Sequence, residues 1–380
     1  MESRRIHSID WLRVFAVLLL FPFHTGRVFN VNDPFYVKSA FQSGFISDVL
    51  SLIEVWHMPL LFLLAGASTY LAFRKRGAGQ YALERVKRLL VPLLFGIFVL
   101  IPPQTWYGGR FNSGYTKSFW QYLASTDFLV FNIRDGGDYY GGFGIGHLWF
   151  ILFLLVISLV ALALILPMRT PRGTRFAQGF ARVLSHPAGW LLAAFIIMLA
   201  ENTPEIAGIN FIYYFVFFVL GYVIMTDERF AERAERYRWL ATIAGLALAE
   251  FSVLTADFRH SFPDPSLERT GLTLLLFGSV WLVIVGALGL GRRYLDRPSK
   301  ALSYLGEASY PVYILHQTVI VVLAWYVVRL PGPWALQWFA LLALSVAATF
   351  GVYEVVRRVG VLRFLFGMKP RRRAATEAPS

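Results

Sequence analysis

The stretch WLRVFAVLLLFPFHTGRVF, residues 11–29, decides what kind of protein this is. It is an apolar run of the length that crosses a bilayer as a helix, and two of its side chains do not belong in hydrocarbon, Arg13 and His24. A charge at the centre of a membrane helix costs roughly 2.5 to 3.5 kcal/mol on insertion scales, so an intramembrane arginine marks a functional position by default. The separation between the two is close to three helical turns, which places both on one face about 16 Å apart along the axis. Asp10 lies three residues before Arg13 and can pair with it, sharing the cost of burial or anchoring the helix at the interface.

The composition around this stretch fixes the fold class. Hydrophobic residues make up 57% of the 380 and charged residues only 16%, and the mean hydropathy is +0.55. The chain is therefore expected to be an all-α, polytopic transmembrane helix bundle. Its net charge of +13 is spread along the sequence and not gathered into one face or tail, which argues against a nucleic-acid partner. Cysteine is absent, so disulfides, thiolate metal ligands and a cysteinyl thioester intermediate are excluded.

Apolar runs stand near 11–29, 48–73, 89–106, 147–167, 188–201, 210–226, 238–256, 270–290, 309–328 and 334–356. They predict ten spans with both termini cytoplasmic. On that topology about three quarters of the lysines and arginines fall on one side, as the positive-inside rule requires. The segments 74–88, 168–182, 227–238 and 291–300 and the C-terminal tail are then cytoplasmic. The start of the chain, with Arg4 and Arg5 before an apolar run, resembles a signal peptide, but Asp10, Arg13, His24 and the lack of a small-residue cleavage site read as a retained span. The expected organisation is one transmembrane domain over 1–366 and a basic, disordered tail over 367–380.

The long outer segment, 104–146, is crowded with aromatic residues, among them Trp106, Tyr107, Trp120, Tyr139 and Tyr140. Its part from Tyr115 to Phe131 reads as an interfacial amphipathic helix or as a lid whose rings stack on a sugar. Gly141, Gly142, Gly144 and Gly146 follow no strand, so they are turn glycines and not a dinucleotide fingerprint.

The remaining intramembrane polar residues define the candidate site. Glu54 and His57 share a face of the second span, and Glu54 enters the membrane at about the depth of His24, so either is a candidate to hydrogen-bond its imidazole. His57 is equally readable as a structural histidine. His147 and Trp149 open the fourth span as HLWF, where, like His57, they can face a substrate, and His316 sits inside the ninth. No two histidines stand at a ligand spacing with enough acids nearby, so no metal is expected. Glu250 and Glu354 read as helix contacts. On the cytoplasmic side ERVKRLLVP brings Arg85 and Arg88 to one helix face, where forked guanidinium groups suit a phosphate as well as they suit topology.

Four pieces in order, IDWLRVFAVLLLFPFHT, HMPLLFLLAG at 57–66, ERVKRLLVP and SYPVYILH at 309–316, resemble the motifs of the acyltransferase family 3 integral membrane proteins. Ala65 stands where that family usually has serine. The resemblance covers nearly the whole chain, and the compact form looks most like the glucan biosynthesis and O-acetyltransferase branch, linked to succinylation of periplasmic glucans. It implies an enzyme of the bacterial inner membrane that moves an acetyl or succinyl group from cytoplasmic acyl-CoA to a hydroxyl of a carbohydrate or glycan. His24 would be general base or acyl carrier, with Arg13, Glu54 and Asp10 beside it. Arg85, Arg88 and His316 would hold the donor, and His57, His147 and Trp149 the acceptor. The rival class is a secondary transporter using a buried Arg, His and Glu relay, but the sequence shows no paired halves with matching broken helices.

Overall fold

The computed structural model describes residues 6–132, 143–206 and 208–370. Tyr139, Tyr140, Gly141, Gly142, Arg4, Arg5 and the tail beyond residue 370 lie outside the described residues. Among the described residues helix predominates, and the longest strands are a two-residue parallel pair, Phe131–Asn132 with Phe143–Gly144. In order the helices are α1 (His7–Gly26), α2 (Gly44–Phe73), α3 (Ala78–Phe95), α4 (Ile101–Asn112), α5 (Phe119–Leu123), α6 (Trp149–Val160), α7 (Leu162–Met168), α8 (Pro171–Ser185) and α9 (Pro187–Glu201). They continue as α10 (Phe211–Ile224), α11 (Glu228–Arg236), α12 (Arg238–Leu254), α13 (Ala256–Ser261), α14 (Leu267–Leu295), α15 (Lys300–Val327), α16 (Trp334–Val356) and α17 (Gly360–Leu365).

Six of these, counting α3 and α4 as one rod, are long and apolar enough to cross a membrane, and up to nine cross if each bent pair is one span. The ten expected spans are thus not all reached by this measure. The seventh apolar run folds as α12, a 17-residue helix about 26 Å long, short of a hydrocarbon core of about 30 Å. The bends lie between α6 and α7 (43°), α8 and α9 (108°) and α10 and α11 (101°). Helix α8, PRGTRFAQGFARVLS, carries its arginines on one side and exposes Phe176, so the 168–182 segment is an amphipathic helix and not a loop.

Lipid tails are as apolar as leucine, so close backbone approach and hydrogen bonds decide which helices pair. The α2–α10 contact shows this reciprocally. A methyl on Gly66 would sit 1.8 Å from the Phe218 carbonyl oxygen, and one on Gly221 would sit 2.0 Å from that of Leu63. Helix α1 packs against α2, α14 and α15 at the centre of the bundle. Between α3 and α4, Pro102 and Pro103 have no N–H for the carbonyls of Phe98 and Val99, and the rod widens into a π turn over Gly96–Leu100.

Each end of the described chain is fastened to another part of the bundle. His7 N donates to Asp296 Oδ1 between α14 and α15 (2.8 Å), and Arg88 Nε of α3 donates to the Gly367 carbonyl (3.2 Å). Arg88 also lines the arginine-rich cavity.

Candidate active site

Arg13 projects from the first third of α1 and is held there by two bonds. Its Nη2 donates to Ser68 Oγ of α2 at 2.6 Å, and its Nη1 pairs with Asp10 at 3.2 Å, as the three-residue spacing anticipates. Arg85 and Arg88, three apart on α3, turn toward the same space. Arg85 Nη2 donates to Thr69 Oγ1 (3.2 Å) with its guanidinium over the Tyr81 ring. These arginines and Arg76 line a cavity of about 300 Å³ that closes upward on Phe150 and Tyr313. A cleft of about 360 Å³ with Arg74, Lys75 and Asp10 adjoins it and shares Arg13 and Arg76. Cationic side chains from α1, the α2–α3 connection and α3 therefore converge on one vestibule, which suits a polyanionic ligand.

Above Tyr313 three imidazoles gather. His24, in the last turn of α1, has its ring centroid 5.0 Å from that of His316, and His316 lies 5.2 Å from His147. Tyr313 ties the group to the cavity below, since its hydroxyl donates to the His147 carbonyl and its ring lies 5.7 Å from that of His316. A carbonyl oxygen only accepts, so the protonated ring atoms follow from the bonds. His147 Nε2–H donates to the Ile314 carbonyl (3.0 Å), and His316 Nδ1–H to that of Tyr313 (2.5 Å). His316 Nε2 is left with an open lone pair and no partner among the described residues, and His24 Nδ1 is likewise unpartnered. A side-chain chain from the first turn of α4 orients His147. Gln104 Nε2 lies 3.5 Å from its Nδ1 and donates to Thr318 Oγ1 (2.7 Å), while Gln317 Nε2 donates to Gln104 Oε1 (3.2 Å). Among the described residues no group of three or more His, Asp or Glu is arranged to hold a metal ion.

The loop after α1 covers His24 with Phe35, whose ring stacks 6.2 Å away. Lys38 staples that loop by donating to the carbonyls of Arg27 and Asp33, both at 3.0 Å, and to Asn30 Oδ1 at 2.7 Å. Burial first, and then the neighbouring Arg27, push the Lys38 ammonium down to about 8 while Asp33 pulls the other way. Nothing in the sequence pattern singles out Lys38, Phe35 or Gln104 for these positions; Tyr313 lies within the SYPVYILH motif, but its tie to His147, like the bonds of Gln104 to Thr318 and Gln317, joins residues distant in the chain.

Two expected contacts do not form. Neither Glu54 nor His57 bonds His24. His57 Nε2–H donates to the Ala16 carbonyl at 2.7 Å, the structural alternative, and this fastens α2 to α1. Glu54 instead lines a second cavity together with Trp149, on the N-terminal halves of α2 and α6. His316 stands with His24 and His147, away from Arg85 and Arg88. The expected helix over Tyr115 to Phe131 shrinks to α5, which Ser118 caps, with a 3-10 turn over Thr126–Leu129 after Ser125. Gly146 is a turn residue at φ +47°, which places His147 at the start of the following helix. Glu354 makes the interhelical contact expected of it, accepting from Tyr304 at 2.9 Å.

No solved structure matches the chain. Among curated proteins it is similar to the glucans biosynthesis protein C of Salmonella gallinarum, at 23% identity over 96% of this chain and 95% of the relative. The proteins of the same name from Salmonella agona and Salmonella heidelberg are each 22% identical over the same shares. A family model described as an acyltransferase domain matches residues 6–354, from the start of α1 almost to the end of α16, so it takes in the arginine vestibule and all three clustered histidines. The chain thus belongs to acyltransferase family 3 and is a membrane acyltransferase.

Proposed function

We propose that the protein transfers an acetyl or succinyl group from acyl-CoA, bound from the cytoplasm, to a hydroxyl of a carbohydrate or glycan at the outer side of the bacterial inner membrane. In this reading the bundle crosses ten times, α9 and the short α12 included, and both termini face the cytoplasm with the basic segments. The observation that carries it is the continuity from the arginine-lined vestibule through Tyr313 to the pair of unpartnered ring nitrogens on His24 and His316.

The donor's phosphates rest on Arg85, Arg88 and Arg13, and its thioester reaches the histidines past Tyr313. His24 takes the proton of the acceptor hydroxyl as the oxygen bonds to the acyl carbon and the thiolate of coenzyme A departs to be protonated. In the two-step form, the imidazole carries the acyl group between donor and acceptor. Either way His24→Ala should lower transfer from labelled acyl-CoA at least a hundredfold in protein that unfolds at the wild-type temperature, and near-normal transfer would refute the proposal. Arg85→Ala with Arg88→Ala should raise the donor KM at least tenfold with a smaller change in kcat; an unchanged KM would remove them from the donor site.

A further inference from the structure

The cavity that received Glu54 and Trp149 has a volume of about 700 Å³, and its walls have an unusual charge balance. Asp48, Glu54, Glu201, Glu205 and Asp257 line it, drawn from α2, the end of α9, the connection that follows it and α13. None of their carboxylates has an ion-pair or hydrogen-bond partner among the described residues. Arg259 is the one cation in the lining, and it bonds His260 at 3.2 Å and no carboxylate. Independent of the acids, Tyr213 is only 8% exposed yet lines the same space, and its hydroxyl has no hydrogen-bond partner among the described residues. The hydroxyl of a largely buried tyrosine and five carboxylates left open toward one cavity are groups waiting for a donor-rich ligand.

The aromatic wall supplies the other half of the recognition chemistry. Trp149 and Tyr214 lie 5.3 Å apart at the base of the cavity, giving flat faces for the C–H side of a sugar ring. Trp149 follows His147 by two residues, so the start of α6 turns one side chain to this cavity and the other to the histidine cluster. We propose that this cavity is the acceptor site, and that its carboxylates make it a charge filter, admitting an uncharged polyhydroxylated ligand and rejecting an anionic one. Hydroxyl groups donate to the carboxylates and to Tyr213, whereas a ligand carboxylate or phosphate meets like charge with one arginine to offset it. The assignment of an acyl acceptor rests on the proposed transfer reaction; the charge selectivity is read without it.

The test is direct binding to the full-length protein in lipid nanodiscs. Neutral gluco-tetrasaccharides of α-1,4, β-1,2, β-1,3 and β-1,4 linkage are compared with the same sugars oxidised to carboxylates at their primary hydroxyls. At least one neutral sugar should bind, its oxidised form at least tenfold more weakly. Glu201→Gln with Glu205→Gln should narrow that ratio to threefold or less, and Tyr213→Phe should weaken the neutral sugar about tenfold without moving the thermal transition. Equal binding of both forms, a ratio unchanged in the double variant, or no binding by any sugar overturns the inference. Wild-type protein that binds selectively but never turns over acyl-CoA would instead refute the transfer reaction and leave the filter standing.

Discussion

At the scale of residues, the sequence exposes what hydrocarbon makes conspicuous. Arg13 and His24 are readable because polar exceptions in an apolar helix are few and costly, and the Arg13–Asp10 pair forms at the predicted three-residue spacing. What the sequence does not disclose is rotation. Counting along a helix gives depth, but the direction of Glu54 and His57 depends on where α2 touches α1 and α10. Glu54 and His57, about 60° apart around one helix, end in different places, one in a cavity and one on the Ala16 carbonyl. The same ignorance leaves open whether His316 keeps the place beside Arg85 and Arg88 that the sequence reading gave it. Its fixed Nδ1–H and open Nε2 point to proton handling beside His24. His316→Asn keeps a side-chain donor but removes that lone pair, so acyl transfer in single-turnover reactions should fall at least a hundredfold with the donor KM moving less than threefold. A raised KM with a normal rate would return His316 to donor binding.

At the scale of elements, each apolar run folded as a helix, and the differences arise where partners or caps intervene. The outer aromatic segment resembled a long interfacial helix, yet Ser118 starts a single turn and the Tyr115 hydroxyl reaches Asp127 at 2.7 Å, folding the chain back. Gly66, part of the motif at 57–66, serves the α2–α10 contact, a role invisible without Gly221 opposite. Gly66→Ala places a methyl against the Phe218 carbonyl and should cost about 1 to 3 kcal/mol. Thermal unfolding in detergent should show a transition several degrees lower, and an unshifted one would mean the backbones do not approach so closely. The α8–α11 clasp depends on Asp227, which caps α11 through the Arg229 amide and accepts from Arg182 of α8 at 2.8 Å. Burial raises its pKa, but these two bonds outweigh it and hold the carboxyl below its ordinary 3.8. A lowered folded value means the stabilisation is whole above about 4 and drains away as pH falls further. Hydrogen exchange of the α8 amides should therefore accelerate below pH 4 relative to an Arg182→Gln control, by no more than about fivefold because Arg182 is half exposed. Equal pH dependence in both proteins would count against the clasp.

At the scale of the whole molecule, α2 is the axis of the design. Its C-terminal half, through Ser68 and Ala72, lines the cationic vestibule, and its N-terminal half, through Asp48 and Glu54, lines the acidic cavity. Twenty residues from Asp48 to Ser68 is about 30 Å of helix, so the two fields are separated by several screening lengths at physiological salt. The histidine cluster stands between them. This polarity predicts opposite salt responses for the two substrates in one steady-state experiment. Raising ionic strength from about 0.02 to 0.5 M shortens the screening length from over 20 Å to under 5 Å, weakening attraction between the arginines and a polyanionic donor. The KM for acyl-CoA should then climb at least fivefold. A neutral sugar acceptor has no charge to screen, and its KM should stay within twofold. An acceptor already bearing carboxylates should improve with salt, because screening relieves its repulsion from Glu201, Glu205 and their neighbours. If both KM values instead rise together, the vestibule and the outer cavity do not act as separate electrostatic compartments. A salt-dependent KM for an uncharged sugar would point to a change in the protein itself, and the electrostatic division of labour along α2 would be lost.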